Sequence, residues 1–252
     1  MKKLNTLLLL SGNDIPFEEA QVIIHQPTIK EIAYIGENDF FIGCGLLNFS
    51  KDLLDVKDKS VLDQYDDFDI LMSIMISKEK SLLSNIENAE KVLMLMFPLY
   101  SIRFEPGCIA LTDSESKVFQ ITKDNFSIFK GYLKQIFNLN VKDKDLPTSY
   151  NPAGDMSSRI AEKLKKRHQQ LAKLNNEKGD EIRVFSRYTS ILAVGLKKPF
   201  DKLFNYTVYQ LYDEFQRFSL KTQHDLYIKA KLAGAKDMKE VEDWMKDLHD
   251  KD

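Results

Sequence analysis

Enzyme chemistry needs reactive side chains that converge, and histidine and cysteine are the first residues to check. Four histidines stand at positions 25, 168, 224 and 249. None has a cysteine or carboxylate at the spacing a metal ion requires. His224 and Asp225 are adjacent in a helical pattern, which points them apart. Cys44 and Cys108 are far apart in the chain. They read as small buried hydrophobes in a reducing compartment. The glycines around Cys44 lack the third glycine of a dinucleotide fingerprint. There is no Gly-x-Ser-x-Gly elbow. The turn from Asn151 to Asp155 carries one glycine and no Gly-Lys-Ser/Thr ending, so it does not cradle phosphate. These residues predict a protein that is not an enzyme and that uses no cofactor and no metal.

The second kind of chemistry is charge. The chain has 252 residues, with 36 basic and 38 acidic side chains. That balance argues against a surface shaped as a whole for nucleic acid. One local run is dense in cations. From Asp155, an N-cap candidate, the spacing of Ile160, Leu164, Leu171 and Leu174 predicts an amphipathic helix. Its outer face would carry Lys163, Lys166, Arg167 and Lys173. It reads either as a solvated surface or as a patch for an acidic partner. No aromatic residues lie between the cations, which weakens a base-stacking reading.

The surrounding pattern predicts an α+β chain that is mainly helical. Leu4 to Leu10 reads as a first β-strand, followed by turn residues and a second apolar run at Gln21 to His25, a hairpin-like pair. Thr28 and Glu31 have capping-box spacing, so a helix starts there. Helical stripes follow over Asp66 to Ser77 and Lys80 to Phe97, the second closed by Pro98. Short strands then flank a Pro-Gly turn at 106–107 and a polar turn near Ser114. Thr122 caps a helix whose stripe is Phe126, Phe129, Leu133, Ile136 and Phe137. A polar stretch with two prolines, 141–152, is the candidate linker. Only helical patterns follow, at 155–175, 181–195, 200–205, 207–233 and 237–249. The expected division is a mixed domain over 1–145, with short antiparallel strands, and an all-α domain over 150–252.

In "NYTVYQLYDEFQRFSL" the rings of Tyr209, Tyr212 and Phe215 fall at helical spacing. The lone tryptophan, Trp244, lies in the closing segment. The stripe reads either as an aromatic core or as a docking face for another helix, since such rings are enriched at interfaces. No stretch is long enough to cross a membrane.

Several stretches together carry a resemblance: "FEEAQVIIHQPTIKEIAYIG", "FFIGCGLLNFSKD", "YNPAGD…AEKLKKRHQQLAK", "FSRYTSILAVGL" and "NYTVYQLYDEFQRF…IKAKLAGAKDMKEVEDWM". The chain resembles proteins encoded in tailed phages and prophages of low-GC Gram-positive bacteria. Within such gene sets it is most similar to tail assembly chaperones. The resemblance implies a non-enzymatic protein of the bacterial host cytoplasm. Its partner would be the tape measure protein, a very long helix-rich chain kept soluble until tube subunits polymerise around it. The tail tube protein and a second copy of the chain are further implied partners, and a membrane is not. The resemblance supplies no catalytic residues. Two alternatives stand beside it. One is a minor structural virion protein, a connector or tail component. The other is a nucleic-acid-binding protein acting through the basic helix 159–173, the less favoured of the two.

Overall fold

The structure is a computed structural model that describes residues 2–51, 64–77, 82–139, 183–235, 241, 243–246 and 248. It is α+β and mainly helical, with two small antiparallel sheets in the N-terminal half.

The chain does not open with a strand. Helix α1 runs over Thr6–Ser11. The Asn5 side chain accepts the Leu7 N–H at 2.9 Å, and Gly12 closes the helix at φ +71°. A side-chain N-cap and a left-handed glycine are local signals that override the leucine run. Four consecutive leucines also lack the alternation a half-buried strand needs. The hairpin forms one element later. Strand β1 (Ile15–Phe17) pairs antiparallel with β2 (Val22–Ile24) across a 3-10 turn at Glu18–Ala20. Its inward residues Ile15, Phe17, Val22 and Ile24 are all buried.

The Thr28–Glu31 capping box is formed, and α2 (Ile29–Ile35) starts from it. Helix α3 (Glu37–Leu47) buries Phe40, Gly43, Cys44 and Leu47. Helix α4 (Asp67–Ser77) buries Phe68, Leu71, Met72 and Met75, while Ile76, at the end of the same stripe, is exposed. Helix α5 (Leu83–Met96) packs along α3. Strands β3 (Ser101–Glu105), β4 (Cys108–Thr112) and β5 (Val118–Thr122) form a meander in that order, and Gly107 turns the first hairpin at φ +85°. The Thr122 capping box opens α6 (Lys123–Ile136), and all five residues of the expected stripe are buried. The half-buried Lys130 donates to Asp67 at 2.6 Å and to the Phe49 carbonyl, tying α6 to α4 and to the residues just after α3. Cys44 and Cys108 are buried and free, and burial pushes both thiols upward in pKa.

Among the described residues, three helices follow: α7 (Val184–Leu196), α8 (Phe200–Phe204) and α9 (Val208–Leu232). The chain forms two compact units. The first holds 1–140 together with 183–212, and the second holds 141–182 with 213–252. A boundary near 150 therefore does not separate α7 and α8 from the N-terminal half. The physical reason is aromatic packing: Phe185 of α7 lies 5.7 Å from Phe40 and 5.0 Å from Phe41, ring centroid to ring centroid. The linker 141–152 and the helix expected over 155–175 lie outside the described residues.

In the second unit, the described part of 237–249 is a turn rather than a helix. The Asp243 side chain accepts the Met245 N–H at 2.9 Å, and the Lys246 N–H reaches the Asp243 carbonyl at 3.2 Å. Such an aspartate offers the backbone a local alternative to a helix. Arg217 of α9 then donates from one nitrogen to the carbonyls of Trp244 and Lys246, at 3.1 and 2.6 Å.

Candidate functional site

Helix α7 begins without a side-chain cap of its own. The missing acceptor comes from far away in sequence. The Glu37 carboxylate accepts the backbone N–H of Phe185, the N–H of Ser186 at 3.2 Å and the Ser186 hydroxyl at 2.8 Å. These N–H groups belong to the first turn, where nothing within the helix can accept them. A carboxylate there also meets the positive end of the helix dipole. Replacing Glu37 by glutamine keeps the shape and removes the charge. The expected cost is about 1 kcal/mol, read as a lower urea midpoint with an unchanged slope.

Once capped, α7 buries Phe185, Tyr188, Thr189 and Leu192. Against this face come the first rings of α9. Tyr212 stands edge-on to Tyr188 at 5.4 Å and to Phe185 at 6.2 Å. Helix α9 opens with Thr207 and Gln210 in reciprocal capping hydrogen bonds, and the Gln210 amide also donates to the Leu10 carbonyl at 2.7 Å. Tyr209 is 7% exposed, Tyr212 9% and Phe215 8%. The stripe expected to be either core or docking face is buried at all three. Trp244, in the second unit, is half-buried. The cationic residues Lys163, Lys166, Arg167 and Lys173 lie outside the described residues.

The exposed apolar atoms of this region sit on the opposite side of α7 and on α8. Val194 is 79% exposed and Phe200 53%, and Ile191 and Phe204 are also exposed. Helix α8 packs on α7 and α2 through its buried Leu203. The signal was present in sequence as "LKKPFDKLF", where lysines alternate with phenylalanines around a proline.

One titratable cluster also forms around the β1–β2 hairpin. His25 holds Asp14 at 2.8 Å through Nδ1 and Glu31 at 3.3 Å through Nε2. Its backbone N–H donates to the Met96 carbonyl. Burial alone would lower the pKa, but the hydrogen bonds from Asp14 and then Glu31 outweigh it and raise it above the ordinary 6.5. With a carboxylate on each ring nitrogen, the imidazolium acts as a clamp between the α1–β1 loop and α2. Neither nitrogen is left open to serve as a base. A raised folded-state pKa means this stabilisation is fully present below pH 6.5 and is lost as pH rises through the higher folded value. The gap in melting temperature between the wild type and His25→Gln should therefore be widest at acidic pH and shrink above neutrality. A gap that widens with rising pH would refute the clamp.

Among the described residues, no group of three or more His, Cys, Asp or Glu side chains is placed to hold a metal ion. Among the same residues, no helix is long and apolar enough to cross a membrane.

With this geometry in place, comparison with known proteins bears on the C-terminal third. Residues 180–249 match a family model described as YomV second domain. The match spans α7, α8 and α9 and covers less than half of the chain. The family name is phage- and prophage-associated, which supports a phage origin. Neither the curated proteins nor the solved structures give a match to this chain.

Proposed function

We propose that this chain is a non-enzymatic phage tail assembly chaperone, which binds the tape measure protein in the host cytoplasm before the tail tube polymerises. The observation that carries this reading is the phage-associated family match over 180–249. It covers two of the stretches on which the resemblance to tail chaperones rests, "FSRYTSILAVGL" and "NYTVYQLYDEFQRF". The role needs a folded scaffold that presents apolar surface to a helical client and stays soluble through its charges. The exposed side of α7 and α8 is compatible with that need.

Co-expression with a tape measure protein from the same phage or prophage tests the role. The client should move from the insoluble to the soluble fraction, and the two should co-purify. Equal solubility with and without this chain, with no co-purification, sinks the reading. Mass spectrometry of finished particles supplies the second arm. A chaperone is absent from them, whereas a connector or minor tail protein appears at fixed copy number.

A further inference from the structure

Among the described residues the two sheets have four outer edges, and three of them offer a new strand little. At the middle of β1, Pro16 has no N–H. On β2 the Ile23 N–H donates to the Tyr100 hydroxyl at 3.3 Å. On β5 the Asn125 side chain accepts the Thr122 N–H at 2.8 Å and donates to the Gln120 carbonyl at 3.2 Å. The remaining edge is β3, whose register on β4 runs without a bulge from Ser101 opposite Thr112 to Glu105 opposite Cys108. Gln120 and Thr122 turn their backbone groups away from β4. By the alternation of an antiparallel ladder, those of Cys108, Ala110 and Thr112 then turn toward Glu105, Arg103 and Ser101. The N–H and C=O groups of Ile102 and Phe104 therefore point outward, and no described residue pairs with them. Such a row of open groups is a template for another strand. The Ile102 and Phe104 side chains are half-buried on the core face, while Arg103 and Glu105 are exposed on the other. Among the described residues neither charge has an ion-pair partner.

We propose that β3 pairs with β3 of a second copy, antiparallel about a two-fold axis at Phe104, so that the two meanders become one continuous sheet. The charges select both the occupant and the register. A strand laid antiparallel on this edge needs an acid opposite Arg103, an apolar residue opposite Phe104 and a base opposite Glu105. Read in reverse, β3 supplies all three: Glu105, Phe104 and Arg103 of the second copy. The two Arg–Glu pairs then occupy non-hydrogen-bonded positions, where facing side chains come closest. Opposite charges directly across a ladder stabilise it, and so does an aromatic pair such as Phe104 on Phe104. The Phe104 N–H and C=O groups are satisfied across the axis. An axis at Arg103 would instead set arginine against arginine, and an axis at Ile102 would leave Glu105 without a partner. A two-fold contact of this kind uses the same patch on both copies and closes on itself. Pro106, directly after β3, keeps the ladder short, so the dimer is weak and its population depends on protein concentration. Self-pairing through β3 does not depend on the role proposed above.

Sedimentation velocity of the full chain, over roughly 5–500 µM, is the test. The wild type should pass from monomer to dimer as its concentration rises, and less readily in high salt. Arg103→Glu and Glu105→Arg each place like charges opposite one another, and each should weaken the dimer at least roughly tenfold. Both side chains are exposed, so circular dichroism and melting temperature should stay at the wild-type values. The double variant Arg103→Glu, Glu105→Arg restores both cross-strand pairs and should dimerise again. An equimolar mixture of the two single variants should dimerise as well, because each copy then meets the opposite charge at both positions. A wild type that stays monomeric over the whole range would overturn the proposal. So would single variants that dimerise like the wild type, since the contact would then lie on another face. Failure of either the double variant or the mixture to dimerise would overturn the register, and with it the reason for choosing a second copy.

Discussion

Gly43→Ala should destabilise the first unit by about 3 kcal/mol or more, one of the largest effects expected of any single methyl group in this chain. Helices α3 and α5 pack on each other, and at Gly43 the α5 backbone comes too close to leave room for a Cβ. A Cβ built on Gly43 would lie 2.6 Å from the Asn88 carbonyl carbon and 2.8 Å from a methyl of Val92. The obstacle is mostly backbone, which has no rotamer to change. Helix α5 cannot retreat cheaply either, since Ala89, Val92 and Leu93 beside the contact are fully buried. Intrinsic propensity pushes the other way, because alanine is about 1 kcal/mol better than glycine inside a helix. Gly45 supplies the control. It lies in the same helix, and an added Cβ there meets nothing within 4 Å. Gly45→Ala should therefore be neutral or stabilising by about 0.5–1 kcal/mol. Urea midpoints for the two variants should move in opposite directions. A Gly43→Ala protein that unfolds at or above the wild-type midpoint would mean that α3 and α5 do not meet here.

What the sequence made legible was local. The Thr28 and Glu31 pair announces the start of α2, since a capping box needs only residues three apart. The Pro106-Gly107 turn and the stripe of α6 were readable for the same reason. The errors were also local, and each has a cause. Leu7 to Leu10 look like a strand until Asn5 and Gly12 are given their weight as caps. The closing segment has helical spacing, but Asp243 and the Arg217 donor hold its described part as a turn. The contacts that define the first unit lie beyond any window. Glu37 caps a helix that starts at Val184, holding an N–H 148 residues further along the chain. Residues 183–212 join the N-terminal half in one compact unit, and no change of composition announces this.

The aromatic stripe was legible in part. A stripe of rings has the same spacing whether it faces a core or a client, so periodicity alone could not choose for Tyr209, Tyr212 and Phe215. All three are buried, and for Tyr212 the neighbours are the rings of α7, Phe185 and Tyr188. The alternation of lysine and phenylalanine around Pro199 was the better clue to an exposed face. A run that places cations next to rings cannot bury both, since an unpaired buried ammonium is costly.

Tyr212→Ala separates the two readings of the aromatic stripe. Tyr212 meets Tyr188 at 90° and Phe185 at 83°, the edge-on arrangement that adds to simple burial. Truncation would leave a ring-sized void between α7 and α9, and cavities of this kind cost about 3–5 kcal/mol when the walls cannot collapse. Collapse is resisted here by the Glu37 cap on α7 and by the Gln210 hydrogen bond to Leu10, which hold the two helices from other sides. The variant should unfold far below the wild-type urea midpoint, and partner binding should vanish with the fold. Tyr212→Phe, which keeps the ring, should cost much less. Phe200→Ala, at an exposed position of α8, should change stability by less than about 0.5 kcal/mol. The docking reading of Tyr212 makes the opposite forecast: a midpoint like the wild type and a selective loss of partner binding. If Tyr212→Ala is as stable as Phe200→Ala, the buried ring packing between α7 and α9 is wrong.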